Sequence, residues 1–251
     1  MEASVELALC QRLLMMADDE LILGHRNSEW AGHAPILEED IAFANIAQDE
    51  MGHASIWYTL LEDITGDKPD QLVFFREAGD YRNSQLVELP KGDWARTIVR
   101  QYLFDAFELV RIQLLVNSVC QPLVEAAGKI RPEELYHYRH TSNWIKRLGL
   151  GTEESHRRTQ YALDYLWPFS NQLFLPEEAE GPLVSAGCFP EIFNIKAKWL
   201  EIVGPFLEEA GLKAPEDYHP IMLDRSEHTD HLTVLLTDMQ EVARLDQDAR
   251  W

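Results

Sequence analysis

Two segments, Glu50-Met51-Gly52-His53 and Glu134-Leu135-Tyr136-His137, each place a carboxylate three residues ahead of an imidazole, and each follows an acid on an earlier helical stretch, Glu20 and Asp105. Residues three apart project from one face of an α-helix, so each pair offers a metal ion an oxygen and a nitrogen from a single turn. Two such turns, with one carboxylate from each of two further helices, make Glu20, Glu50, His53, Asp105, Glu134 and His137 the expected ligands of a di-iron carboxylate centre in a four-helix bundle. Hard oxygen donors with only two imidazoles favour iron, with manganese as the alternative, over zinc. Four carboxylates neutralise two divalent ions. Glu50 and Glu134, which precede the histidines, are expected to bridge, leaving Glu20 and Asp105 as terminal ligands. Glu108, one turn beyond Asp105, ranks second as a ligand because Arg111 stands at i+3 to pair with it.

The spacing carries more than the motif. Glu-x-x-His occurs four times, and a chain with 9 His is expected to show roughly one match by accident. Glu153/His156 opens a helix beside a Gly-rich turn and Glu216/His219 lies between Pro215 and Pro220, so both read as accidental. In the other two, thirty residues separate Glu20 from Glu50 and twenty-nine separate Asp105 from Glu134. An antiparallel helical hairpin brings points so spaced level with each other when its turn lies midway. Burying four carboxylates without cations would be very costly.

That placement requires four long helices, and the apolar periodicity supplies them. A first helix is predicted over 4–27, with Leu9, Leu13, Met16 and Leu23 on the face that holds Glu20. A second runs over 36–65, stopped by Gly66 and Pro69, with Phe43, Ile46, Ala54, Trp57 and Leu61 beside Glu50 and His53. Residues 71–93 read as an irregular crossover between two antiparallel pairs. The third helix starts at a cap on Asp93 and continues to about Ser118, with Ile98, Tyr102, Leu109, Ile112 and Val116 around Asp105. The fourth covers 123–148 and contains Pro132, which can kink it or restart it two residues before Glu134. Helices over 153–174, 190–210 and 227–245 wrap the bundle and make contacts between protomers. The expected fold is one all-α domain, 1–251, since no linker, repeat or low-complexity tract divides the chain.

Composition narrows the partners. A net charge of -21 excludes broad binding to nucleic acid or anionic membranes. Arg139, Lys146, Arg147, Arg157 and Arg158 lie close in sequence and read as solvated charges around helix ends. The acidic start and the lack of an apolar run long enough to cross a bilayer predict a cytoplasmic protein. Cys10, Cys120 and Cys188 are widely spaced and odd in number, which argues for packing rather than a disulfide frame or an iron-sulfur cluster. His25, His33, His140, His228 and His231 are read as surface or packing residues; Tyr102, Tyr136, Tyr138, Trp57 and Trp144 as core aromatics near the site.

With these residues placed, the chain resembles the phenylacetyl-CoA epoxidase (phenylacetate ring monooxygenase) subunits of the ferritin-like class, above all the smaller one, PaaC. The resemblance covers nearly the whole length. It is carried by Ser28-Glu-Trp-Ala-Gly-His-Ala-Pro35, Asp40-Ile-Ala-Phe-Ala-Asn-Ile46, Leu86-Val-Glu-Leu-Pro90, Thr97-Ile-Val-Arg-Gln-Tyr-Leu-Phe-Asp105, Trp144-Ile-Lys-Arg-Leu-Gly149 and the terminal Trp251. It implies a ferritin-like four-helix bundle with additional C-terminal helices. It also implies a multicomponent enzyme in which a di-iron subunit epoxidises the ring of an acyl-CoA substrate, phenylacetyl-CoA, while a reductase delivers electrons from NADPH. The implied partners are the catalytic subunit and the reductase, in a homo- or hetero-oligomer. The family's smaller subunit serves as the structural partner and in its enteric version has lost most ligands, whereas Gln48-Asp-Glu-Met-Gly-His53 is similar to the catalytic subunit's own run. Three readings follow: an oxygenase component with an intact di-iron site, a non-catalytic scaffold that docks the catalytic partner, or a ferritin-like oxidase without an organic substrate.

Overall fold

A computed structural model describes residues 2–176 and 180–246; the terminal Trp251 lies outside them. The described residues are all-α. Four long helices form two hairpins: α1 (Ala3–Ser28) with α2 (Leu37–Thr65), and, after the crossover, α5 (Trp94–Leu115) with α6 (Gln121–Gly149). Between the hairpins come two short helices, α3 (Pro69–Phe74) and α4 (Gln85–Glu88), with a 3-10 turn at Ala78–Asp80. Beyond α6 lie α7 (Glu153–Ser170), a 3-10 turn at Asn171–Phe174, α8 (Glu180–Ser185), α9 (Ile192–Glu209) and α10 (Asp230–Leu245).

The chain marks these boundaries with local chemistry. Asp93 caps α5 by accepting from the Arg96 amide at 2.9 Å, and Thr152 caps α7 by accepting from the Ser155 amide at 3.1 Å. Gly66 ends α2 with a left-handed φ of 82°, its amide returning to the Glu62 carbonyl, a conformation that glycine alone adopts without a Cβ penalty. The third helix ends at Leu115, short of the expected Ser118, because residues 116–118 turn toward α6 and the Val119 amide bonds the Gly187 carbonyl instead. Pro132 neither breaks nor restarts α6, which is continuous across it. The predicted fifth helix loses its regular form at Asn171, shortly after Pro168.

The helix α5 is the axis of the molecule. It lies against α6, α7 and α9 and is buried on almost every side, which is why its apolar residues do not keep to a single stripe. Gln101, Asp105 and Glu108 interrupt that pattern on the side that faces the bundle interior. The crossover and the segment before α10 are tied to the start of the bundle through two acids on α1. Asp18 accepts from the Arg82 amide at 2.7 Å and from Arg76, and Asp19 accepts from the Ser84 amide at 2.6 Å and from Arg225 at 2.7 Å. Successive residues on a helix point about 100° apart. Asp18 and Asp19 can therefore anchor the outer segments while Glu20 turns into the core.

Candidate metal centre

All six expected ligands meet in the interior of the bundle formed by α1, α2, α5 and α6. Glu20, Glu50, Asp105, Glu134 and His137 have no exposed surface, and His53 is 1% exposed. Gly24, one turn beyond Glu20, makes part of this approach possible. A Cβ there would lie 3.0 Å from the Ala47 carbonyl oxygen and 3.1 Å from the Glu50 Cβ, so the bare backbone of α1 admits α2 at the level of the site.

The donors fall into two overlapping groups whose ligand atoms lie within 4.8 Å of one another: Glu20, Glu50, His53 and Glu134 in one, Glu50, Asp105 and His137 in the other. Both imidazoles aim Nδ1 inward. His53 Nδ1 stands 3.2 Å from Glu134 Oε1 and 3.7 Å from Glu20 Oε2; His137 Nδ1 stands 3.5 Å from Glu134 Oε1 and 3.6 Å from Glu50 Oε1. Glu50 and Glu134 thus occupy the middle, with Glu20 and Asp105 at opposite ends.

The outward nitrogens are held crosswise. His53 Nε2 on α2 contacts Glu133 Oε2 on α6 at 2.8 Å, and His137 Nε2 on α6 contacts Asp49 Oδ2 on α2 at 3.2 Å. Each acid directly precedes the motif glutamate of its own helix and serves the histidine of the other. An acceptor on Nε2 keeps the proton there and leaves the Nδ1 lone pair for a cation. Sequence reasoning missed Asp49 and Glu133. The signal was an acid immediately before each Glu-x-x-His.

Five further polar residues complete the interior. Gln101 Nε2 donates to both Glu50 Oε1 and Asp105 Oδ1 at 2.7 Å, and its own oxygen accepts from Asn27 Nδ2 at 2.8 Å. Thr141 Oγ1 donates to Asp105 Oδ2 at 2.7 Å. Glu108, the second-ranked ligand, is fully buried and pairs with Arg111, whose guanidinium also lies 3.5 Å from Glu20. It falls outside both donor groups.

Charge and hydrogen bonding test whether cations fit. Glu20, Glu50, Asp105, Glu108 and Glu134 are buried together, and fully ionised they carry five negative charges. Arg111 offsets one. The remaining four equal the charge of two divalent ions, with both imidazoles neutral. Glu20 Oε1 and Oε2, Glu50 Oε2, Glu134 Oε1 and Oε2, and both inward Nδ1 atoms have no hydrogen-bond partner. Buried donors and acceptors of this kind are normally satisfied. A carboxylate-rich set with its free lone pairs converging suits a hard or borderline cation, and the residues fit a di-metal centre.

Without cations the same residues hold protons. Burial opposes the charge of His53, but the neighbouring carboxylates of Glu134 and Glu20 outweigh it and push the imidazole up to about 12. His137 rises to about 10 against burial, through Asp49 and Glu134. Burial drives Asp105 up to about 8 despite the pull of His137, and burial together with Glu20 drives Glu50 well above the carboxylate range. Glu20 moves the other way, to about 2, because its neighbours Glu50 and His53 overcome its burial.

The sequence profile of the phenylacetic acid catabolic proteins matches residues 1–251. The chain belongs to this family. It is 34% identical over 240 residues to the C component of 1,2-phenylacetyl-CoA epoxidase from Escherichia coli (strain K12), a match covering 95% of this chain and 97% of that protein. As a phenylacetic acid catabolic protein, the chain has the ferritin-like helical bundle that its sequence leads one to expect.

Several of the remaining histidines and basic residues have structural partners. His140 Nε2 meets Glu39 at 2.8 Å, His156 Nδ1 meets the Gly149 carbonyl at 2.8 Å, and His228 Nδ1 meets the buried Glu88 at 2.8 Å. Lys146 pairs with Glu209, while Arg157 and Arg158 pair with Glu154 on the surface. Tyr102 stacks between Tyr138 and Phe206 in the core. No helix of the described residues is long and apolar enough to cross a membrane.

Proposed function

We propose that this chain is a subunit of a multicomponent monooxygenase that epoxidises the aromatic ring of phenylacetyl-CoA, and that it holds two iron ions between Glu20, Glu50, His53, Asp105, Glu134 and His137. One observation carries the metal reading. Carboxylate oxygens and imidazole nitrogens from four helices converge, buried and without hydrogen-bond partners, around an excess of negative charge that two divalent cations would cancel. The relative named as one component of a phenylacetyl-CoA epoxidase carries the substrate reading.

The chemistry supplied by a bound iron pair is two-electron reduction of dioxygen with transfer of one oxygen atom to an organic substrate. The chain's own residues would prepare for it. Asp49 and Glu133 keep Nδ1 of His137 and His53 turned inward. Gln101 and Thr141 hold Asp105 in one rotamer, and the apolar bundle excludes bulk water from the donors. A partner catalytic subunit and a reductase complete the assembly in this reading.

A scaffold that docks the catalytic subunit and uses no metal is the second reading. The Arg111 guanidinium favours it, because that group beside Glu20 already offsets part of the buried charge. Iron content of protein purified from iron-supplied cells, with anomalous scattering at the iron edge, separates the two. Two irons per chain, lost in Glu50→Ala and His53→Ala, support the centre; iron-free protein of full stability supports the scaffold. Ring oxidation of phenylacetyl-CoA by the chain with a reductase, with and without the catalytic partner, then decides whether the reaction occurs here.

A further inference from the structure

The six donors do not form two equal half-sites, and we propose that cations fill them in a set order, the half-site at His53 first and the half-site at His137 second, with Gln101 governing the second step. The inference rests on the metal-binding reading above.

At the His53 end, the donor atoms are free. Both oxygens of Glu20, Glu50 Oε2, both oxygens of Glu134 and His53 Nδ1 have no hydrogen-bond partner. A cation arriving there takes His53 Nδ1 from its contacts with Glu134 at 3.2 Å and Glu20 at 3.7 Å, as one at the other end takes His137 Nδ1, and breaks no further hydrogen bond. The nearest competing charge is Arg111, 3.5 Å from Glu20, and Glu108 pairs with that guanidinium from the other side.

At the His137 end, almost every oxygen is already engaged. Asp105 Oδ1 accepts from Gln101 and Asp105 Oδ2 accepts from Thr141, each at 2.7 Å. Glu50 Oε1, the oxygen 3.6 Å from His137 Nδ1, accepts from the same Gln101 amide at 2.7 Å. Of the donors that belong to this end alone, only His137 Nδ1 is without a hydrogen bond. Asn27 donates to the Gln101 oxygen at 2.8 Å, so the amide cannot turn its oxygen toward the carboxylates without losing that bond. Gln101 and Asn27 are both fully buried. A second cation must weaken up to three of these buried hydrogen bonds. The first cation adds to the gap, since it draws on Glu50 and Glu134, which both half-sites share, and repels its successor.

The test is a titration of the metal-free full-length chain with Mn(II), followed by electron paramagnetic resonance, which counts free and bound ions. Two steps are expected, their dissociation constants at least ~10-fold apart, as the loss of about one buried hydrogen bond produces. Asp105→Ala should keep the first step unchanged and lose the second. Glu20→Ala should weaken the first by at least tenfold. Gln101→Leu should tighten the second step and leave the first alone; Asn27→Leu, which frees the amide from a distance, should shift it the same way by less. The proposal is overturned if both ions bind in one step, if Asp105→Ala abolishes the first ion, or if Gln101→Leu weakens the second. A wild-type chain that binds neither Mn(II) nor Fe(II) would instead remove the metal centre itself.

Discussion

His53 and Glu133 join the two hairpins of the bundle: Nε2 of the α2 histidine meets Oε2 of the α6 glutamate at 2.8 Å, while His137 and Asp49 repeat the arrangement in the opposite direction at 3.2 Å. Neither acid touches the inward donor atoms, yet each sets which nitrogen carries the proton. Glu133→Ala and Asp49→Ala should lower metal affinity by roughly 10–100-fold while the fold persists. Competition against a metal-indicator dye measures the loss, and circular dichroism checks the helix content. Glu133→Gln, which keeps an acceptor oxygen, should recover most of the affinity.

Glu50 occupies the centre of the donor set, and burial and Glu20 drive its carboxyl well above the usual range, which favours the neutral form in the metal-free protein. Glu50→Gln should therefore leave metal-free stability within about 1 kcal/mol of wild type. It should also erase the rise in melting temperature that metal binding confers through mass action. Calorimetry with and without Fe(II) under nitrogen reads both quantities. A large loss of metal-free stability would contradict the protonation state assigned to Glu50.

Metal binding and pH should be linked with opposite signs in the two forms. Near neutral pH the metal-free site holds protons on His53, His137, Glu50 and Asp105, so loading should release up to roughly four per chain. Affinity should rise with pH, and less steeply above about 8, where Asp105 no longer holds a proton to release. Because the folded metal-free chain binds more protons than the unfolded one between the ordinary carboxylate range and about 10, its stability should fall as pH rises through that window. Proton release into a weakly buffered indicator and melting curves from pH 5 to about 9 test both trends.

Arg111 and Glu108 form a buried pair next to Glu20. Replacing Arg111 by Met leaves Glu108 unpaired among other carboxylates and should cost roughly 3–5 kcal/mol in the metal-free state. Bound cations should offset part of that cost. Urea unfolding of both forms gives the comparison, and an equal loss with and without metal would place Arg111 outside the electrostatics of the centre.

The helices and the six donors were legible because the pattern that reveals them is local. A period of 3.6 residues places Glu20 among Leu9, Leu13 and Leu23, and the interval between each acid and its Glu-x-x-His pair matches the level of two points on a helical hairpin. Asp49 and Glu133 were visible in sequence as acids before each motif, but no local rule says that they serve the opposite helix. Glu108 shows the same limit. Its neighbour Arg111 was readable at i+3, whereas the placement of that pair beside Glu20 depends on how α5 meets α1 in the bundle.

By itself, then, the sequence determined which residues share a helical face and how far along each rod they stand. Tertiary structure alone decided which faces meet: that Gln101 reaches Glu50 across 51 residues of chain, that Asn27 holds Gln101 across 74, and that Asp18 and Asp19 bind the crossover and the segment before α10 while Glu20 enters the core. The physical reason is that hydrogen bonding along a helix acts over four residues, while the rotation and partner of each helix are set by the packing of all the others at once.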